Sequence, residues 1–268
     1  AAAYSEASAE ALSSFGDARL YMEKLIEAGR HIEFQVIGDA YGRVLVLGER
    51  ECSIQRRHQK LLEESPSPAV TDAQRNEVAN RISVALSKAG YNSAGTVEML
   101  RSPEGQLYFM ELNTRLQVEH PVTELTVGCD LVEWQLRVAA NEALPESLGS
   151  PAGHAIELRI NAEDPERNFQ PTPGLLERFR FPAAEDLRVD THLREGDEVS
   201  PHYDSMIAKL IVHGKTRAEV LDRLQEVLDE CDIQGVHTTI AVHRDILAHH
   251  GFREGSYDTM TLQRMQET

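Results

Sequence analysis

The chain opens on a helical rhythm. From Ala1 to Phe15, the apolar residues Tyr4, Ala11, Leu12 and Phe15 recur at helical spacing with no capping residue before them. The spacing predicts an amphipathic helix entered in mid-stride, as if the chain had been cut rather than naturally begun. At His31 to Val36 the period changes to two. Ile32, Phe34 and Val36 then share one face, with His31, Glu33 and Gln35 on the other. Gly38 to Gly42 turns the chain into the apolar run Val44 to Leu47, giving a hairpin with one face free for polar work. A helix is expected from about Asp72 to Ala89, capped at Thr71 or Asp72 and stopped by Gly90, with Val78, Ile82, Ala85 and Leu86 as its buried stripe.

A second hairpin carries more information. Ala94 to Leu100 and Leu107 to Asn113 flank the turn Ser102-Pro103-Glu104-Gly105-Gln106. A tip centred between Glu104 and Gly105 sets Glu98 directly opposite Glu111, with Cβ atoms roughly 4.5 to 5.5 Å apart, where two like charges destabilise a sheet unless something positive lies between them. A hard divalent cation resolves that conflict. Magnesium takes oxygen ligands and is commonly held by one or two carboxylates plus substrate phosphates, so the pair suggests a metal–nucleotide site. A register slipped by one residue, or an arginine paired with either glutamate, resolves it equally well.

Further on, Asp130 to Asn141 forms an amphipathic helix, and Leu144 to Gly153 reads as a linker and a domain boundary. Beyond it come a strand from His154 to Ile160, short β segments around Leu175 to Phe181 and Glu198 to Val199, and a strand from Ala208 to His213. A helix from Arg217 to Glu230 and a last helix near Thr239 to His249 complete the series. Hairpins interspersed with helices make the class α+β rather than a doubly wound parallel sheet.

Composition narrows the function. The 268 residues suffice for one large domain or two ordinary ones. Cys52, Cys129 and Cys231 are odd in number and far apart, so no disulfide framework or CxxC zinc site is readable, and a reducing compartment fits. With 27 Lys+Arg against 44 Asp+Glu and a net charge of −17, no nucleic acid partner is expected. No apolar run approaches the roughly 20 residues of a membrane span, and the N-terminus lacks a signal peptide's basic start and apolar core. A soluble, cytoplasmic protein without a membrane partner is expected, with an organellar matrix left open because a targeting segment could lie upstream.

Two stretches concentrate candidate chemistry. Gln55-Arg56-Arg57-His58-Gln59-Lys60 is either an anion site or an exposed strand or loop balancing Glu49, Glu51, Glu63 and Glu64. In Glu111 to Pro121, the polar residues Glu111, Asn113, Arg115, Gln117 and Glu119 alternate, so an extended backbone projects all five to one side. That row makes poor core and suits a site lining, although a solvent-facing edge strand would show the same alternation.

These residues carry a resemblance. Glu49 to Pro68 (ERECSIQRRHQKLLEESPSP) and Met110 to Glu124 (MELNTRLQVEHPVTE) are similar to biotin carboxylase, the ATP-grasp component of acyl-CoA carboxylases. Glu157 to Pro165, Pro171 to Gly174 and His202 to Leu210 resemble the C-terminal domain of the same family. The resemblance implies a lid remnant at residues 1–20, the C-terminal half of an ATP-grasp domain at 21–150 and a biotin carboxylase C-terminal domain at 151–268. It implies ATP contacts from Glu23, Lys24, Ile26, His31, Gln55 and His58, and metal ligation by Glu98 and Glu111 with Asn113 beside them. Lys60, Arg115, Gln117 and Val118, the last through its backbone, would hold bicarbonate. Glu119 would be the general base, Arg159 would contact biotin, and Arg115 would also stabilise the biotin enolate. Ordinary alternatives stand beside some of these: a solvated helix end for Glu23 and Lys24, hydrogen-bonded surface histidines for His31 and His58, a salt bridge from Arg159 to Glu157 or Asp164.

The implied activity is ATP-dependent carboxylation of biotin by bicarbonate through carboxyphosphate. It uses ATP, two Mg2+ or Mn2+ ions and biotin as acceptor. The implied partners are a biotin carboxyl carrier protein, a second copy in a homodimer and the carboxyltransferase of the assembly. The family's glycine-rich lid loop has no counterpart in the chain, so weak or absent ATP binding by this chain alone is expected. A non-catalytic dimerisation or scaffold module, or an ATP-grasp ligase acting on another acceptor, are the competing readings. The string DLVEWQLR leans toward branched or medium acyl-CoA substrates, and no AMKM-type biotin-attachment motif is present.

Overall fold

The structure, a computed structural model, describes residues 2–267; Ala1 and Thr268 lie outside it. Eight strands form one sheet: β1 (Arg30–Gly38), β2 (Val44–Arg56), β3 (Gln59–Ser65), β4 (Ser93–Arg101), β5 (Leu107–Asn113), β6 (His154–Asn161), β7 (Leu187–Asp190) and β8 (Met206–Gly214). Their order across the sheet is β7-β8-β6-β3-β2-β1-β4-β5, with every neighbouring pair antiparallel. The helices are α1 (Ala2–Phe15), α2 (Asp72–Lys88), α3 (His120–Val127), α4 (Leu131–Ala139), α5 (Arg217–Glu230), α6 (Ile240–Ala248), α7 (His250–Arg253) and α8 (Thr261–Gln266). An antiparallel sheet with helices packed on it is the expected α+β class.

Because β6 pairs with β3, the sheet runs without a break across the irregular stretch between α4 and β6. Apolar clusters nonetheless gather on either side of it. Ile32, Phe34, Val36 and Val97 pack with Ile82 of α2, whereas Leu158, Leu210, Leu224 and Ile246 belong to a larger cluster built mostly from later elements. The caps explain two helix starts: Thr71 and Thr216 form capping boxes with Gln74 and Glu219 at the entries to α2 and α5.

Several expectations change. Strand β2 continues past Leu47 to Arg56, because its polar residues are paired by distant cations: Glu49 takes Arg75 and Glu51 takes Arg30. The basic stretch spans the turn between β2 and β3, with Arg57 and His58 at its tip at φ of 49° and 65°. The acids named as its counter-ions are occupied elsewhere, since Glu63 binds Arg159 and Glu64 binds His154 and Arg217. The polar face of β1 is not open, for His31, Glu33 and Gln35 are all buried. The apolar stripe expected on α1 is not buried against the sheet; none of the helix's described residues is buried, and Phe15 is 84% exposed. Helices α7 and α8 follow the one expected to be last, too short for their period to show in the sequence.

Candidate active site

The β4–β5 hairpin places the first pair of carboxylates. Near its tip Met99 faces Phe109 and Leu100 faces Tyr108, one residue away from the expected register; a bulge at Met110 then restores it, and Glu98 faces Glu111. Asn113 Nδ2 donates to Glu98 Oε1 at 3.1 Å and to Glu111 Oε1 at 3.0 Å, so the three side chains converge on one spot. Among the described residues, neither glutamate takes an arginine. Burial would raise the Glu98 carboxyl, but hydrogen bonds from His31 and Gln117 and the charge of Lys60 hold it down at about 2. An ionised carboxylate, a second carboxylate open to solvent and an amide that can turn its oxygen inward form an all-oxygen set suited to Mg2+ or Mn2+.

Behind this pair lies a charged cluster organised by Arg50, which is fully buried. Its guanidinium reaches Glu33 Oε2 at 3.2 Å, Gln35 Oε1 at 2.6 Å, Thr96 Oγ1 at 3.2 Å, Thr123 Oγ1 at 3.0 Å and Gln117 Oε1 at 3.1 Å. Gln117 in turn donates to Glu98 Oε1 at 2.6 Å. Lys60 bonds Glu33 and Glu119, the latter at 2.6 Å, and lies 3.5 Å from Glu98. On the far side Arg159 Nη2 is 2.9 Å from Glu119 Oε2 and 2.5 Å from Glu63 Oε1, rather than on Glu157 or Asp164.

Two carboxyls in this cluster are driven in opposite directions. Burial would raise Glu119, yet Lys60, Arg50 and Arg159 outweigh it and keep the group below the ordinary carboxylate range. Burial and the neighbouring Glu119 charge push Glu33 up to about 7, against Lys60, Arg50 and His31. Glu119 is therefore the ionised member at neutral pH. It sits at the N-cap of α3, where the helix dipole also favours an anion.

A cavity of about 540 Å³ gathers Lys60, Glu98, Glu111, Asn113, Arg115, Gln117, Val118, Glu119 and Arg159, with His58 at its rim. Arg115 is exposed there; it donates to its neighbour's carbonyl at 3.4 Å and has no acidic partner among the described residues. A second cavity of about 590 Å³ shares His58 and is lined by Ile26, His31, Gln55, Leu100 and Met110. Glu23 and Lys24 are exposed and do not line it; Lys24 instead lies over the Tyr108 ring, 5.2 Å from its centre. Sequence reasoning missed Arg50 and Glu33 as organisers of the cluster, and Leu262 and Gln263 of α8 as walls of the second cavity. Glu33 was visible as the polar phase of β1, whereas nothing local marks α8.

The Carbamoyl-phosphate synthase L chain, ATP binding domain family matches residues 1–147, and the Biotin carboxylase C-terminal domain family matches residues 157–264. A biotin carboxylase of Nostoc sp. is 46% identical over 97% of this chain and 59% of its own length. One of the pyruvate carboxylase subunits of Methanothermobacter thermautotrophicus is 49% identical over 93% of the chain and 51% of its length. The biotin carboxylase domain dimer of Hydrogenobacter thermophilus 2-oxoglutarate carboxylase, solved with MgADP, ADP and bicarbonate, is 45% identical with a TM-score of 0.94, over 99% of this chain and 59% of that one. The chain thus spans between half and three fifths of these relatives. With both halves matched in order and the fold shared, the chain belongs to the biotin carboxylase family.

Proposed function

We propose that this chain supplies the metal, bicarbonate and biotin side of an active site that carboxylates biotin at the expense of ATP. The observation that carries the reading is the 540 Å³ cavity, where an ionised Glu119, a lysine, an unpaired arginine and a paired carboxylate set converge. A relative of this fold was solved with MgADP and bicarbonate bound, which supports the same ligands here.

Lys60 and Arg115 neutralise bicarbonate and set its angle of attack, the arginine fork matching two oxygens at once. Glu119 accepts the bicarbonate proton as the oxygen attacks the γ-phosphorus of ATP and ADP departs. Carboxyphosphate then breaks to carbon dioxide and phosphate. The phosphate takes the ureido proton of biotin, whose nitrogen bonds to carbon dioxide while Arg115 stabilises the enolate oxygen. A divalent cation at Glu98, Glu111 and Asn113 supplies charge neutralisation for the phosphoryl oxygens when bound. His31, Gln55, His58 and Ile26, lining the adjoining cavity, fit a nucleotide, with Glu23 and Lys24 at its outer approach.

The reading carries with it a biotin carrier protein, a carboxyltransferase and a dimer of this chain, supported by relatives named as subunits of larger carboxylases and by a relative solved as a dimer. Relatives named for pyruvate and for 2-oxoglutarate share this segment, so we place the choice of final acceptor outside it. In the complete enzyme, ADP release should depend on both bicarbonate and biotin. Arg115→Ala should cut biotin carboxylation by about 10²-fold or more while ATP binding persists. Turnover independent of biotin, or a near-normal Arg115→Ala variant, overturns it.

A further inference from the structure

Lys209 lies in the string His202 to Leu210 that carries part of the resemblance, yet the reaction as described gives it no task. It stands on β8 directly opposite Arg159 of β6, and it is 8% exposed. Its Nζ donates to the backbone oxygen of Val118 at 2.7 Å. Glu157 Oε2 at 3.7 Å and Asp190 Oδ2 at 3.5 Å balance its charge from β6 and β7.

That bond falls on a loop otherwise held through its side chains, Gln117 by Arg50 and Glu98 and Glu119 by Lys60. Residues 114–119 link β5 to α3 without helix or strand, so side-chain anchors must set the path of the loop that carries Arg115, Gln117, Val118 and Glu119. A peptide unit is planar. Fixing the Val118 carbonyl therefore fixes the plane that runs into Glu119, and with it the Cα positions at both ends. One strand over, Arg159 grips the Glu119 carboxylate at 2.9 Å. Two neighbouring cations from the C-terminal elements thus hold two consecutive points of the loop, one on its backbone and one on its side chain.

We propose that Lys209 is a positioning residue of the bicarbonate pocket, holding Val118 and Glu119 where bicarbonate meets them. This rests on the functional reading given above. Removing the lysine takes from buried Glu157 one of the two cations beside it, Arg159 being the other, so the clean variant changes Glu157 as well, Lys209→Met with Glu157→Gln, and keeps the volume filled. In the complete enzyme this double variant should raise KM for bicarbonate about tenfold or more, with KM for ATP changed less than about twofold, because only the loop shifts. Lys209→Arg, which keeps the charge and displaces the donor, should move the same constant in the same direction by less. An unchanged KM for bicarbonate, or a parallel rise in both constants, overturns the proposal. Hydrogen exchange on the chain as it stands gives a reading free of turnover. Amides at 115–120 should exchange faster in either variant, while those of Ile32 to Val36 in β1, away from both substitutions, do not; unchanged loop exchange sinks the idea whatever the activity. If the unmodified enzyme shows no bicarbonate-dependent ADP release, the functional reading falls and the exchange result still decides the anchor.

Discussion

Glu63 and Glu64 are neighbours on β3, both fully buried, and as consecutive strand residues they face opposite sides of the sheet. Glu64 faces the C-terminal core and is completely satisfied. His154 binds one oxygen at 2.6 Å, Arg217 forks across both at 2.7 and 3.0 Å, and Tyr257 completes the set. Burial would raise this carboxyl, yet the His154 and Arg217 bonds hold it at about 2. Glu63 faces the cavity side. It lies opposite Glu157, shares Arg159 with Glu119 and has no well-formed hydrogen bond to either oxygen, so burial keeps its carboxyl raised. One cluster is closed on itself and serves as cement. The other divides its cations among more acids than they can serve and opens on a cavity, which is how buried charge looks when it is arranged for a ligand.

The largest effects should separate the two sides. Glu119→Gln should lower bicarbonate-dependent ATP cleavage in the complete enzyme by about 10²- to 10⁴-fold, the usual span for a lost general base, with little change in melting. Glu64→Ala should do the reverse. It leaves His154 buried and Arg217 half-buried without their anion, a loss of about 3 to 5 kcal/mol on denaturant unfolding. If Glu119→Gln unfolds the chain as readily as Glu64→Ala, the division between site and cement fails.

Acid should sharpen the same contrast. The folded-state value of Glu64 lies below its unfolded one near 4.5, so its contribution is present above pH 4.5 and is lost as pH falls toward about 2. Glu63 and Glu33 are raised, so the folded state binds their protons more tightly and their contribution declines as pH rises through the raised values. Urea midpoints measured from pH 7 to pH 3 should fall less steeply in Glu64→Gln than in the unmodified chain. An equal slope in both would remove Glu64 from the account.

The contrast also marks what the sequence could tell. The opposition of Glu98 and Glu111 was legible because it depends on strand period within a single hairpin, even though it arises through an unforeseen bulge at Met110. Arg115, Gln117 and Glu119, by contrast, reach the cavity from a loop rather than from the extended strand their alternation suggested. Strand β3 was not legible. Its Lys60, Glu63 and Glu64 look like surface until Glu119, Arg159 and Arg217 arrive from 59, 96 and 153 residues away. Arg50 was hidden for the same reason, since its side-chain bonds all reach other strands or the loop and helix beyond β5. Charge burial is a long-range decision, and local periodicity carries no record of it.

The smallest expected effect tests the comparison most finely. Glu63→Gln keeps the shape of the side chain and removes a charge that is already poorly compensated. It releases Arg159 to Glu119 and relieves the repulsion from Glu157 across the β3–β6 pair. Replacing an ill-satisfied buried charge by a neutral isostere is often neutral or stabilising, so the unfolding free energy should stay within about 1 kcal/mol of the unmodified chain, with any change upward. Glu64→Gln, the same substitution one residue along, gives up charge-assisted bonds to Arg217 and His154 and should be clearly destabilising, by about 1.5 to 3 kcal/mol. Paired urea titrations of the two variants at pH 7 decide the matter: equal losses would show that both clusters are cement, and a loss confined to Glu64→Gln would show that the charge beside Glu119 is kept for something other than stability.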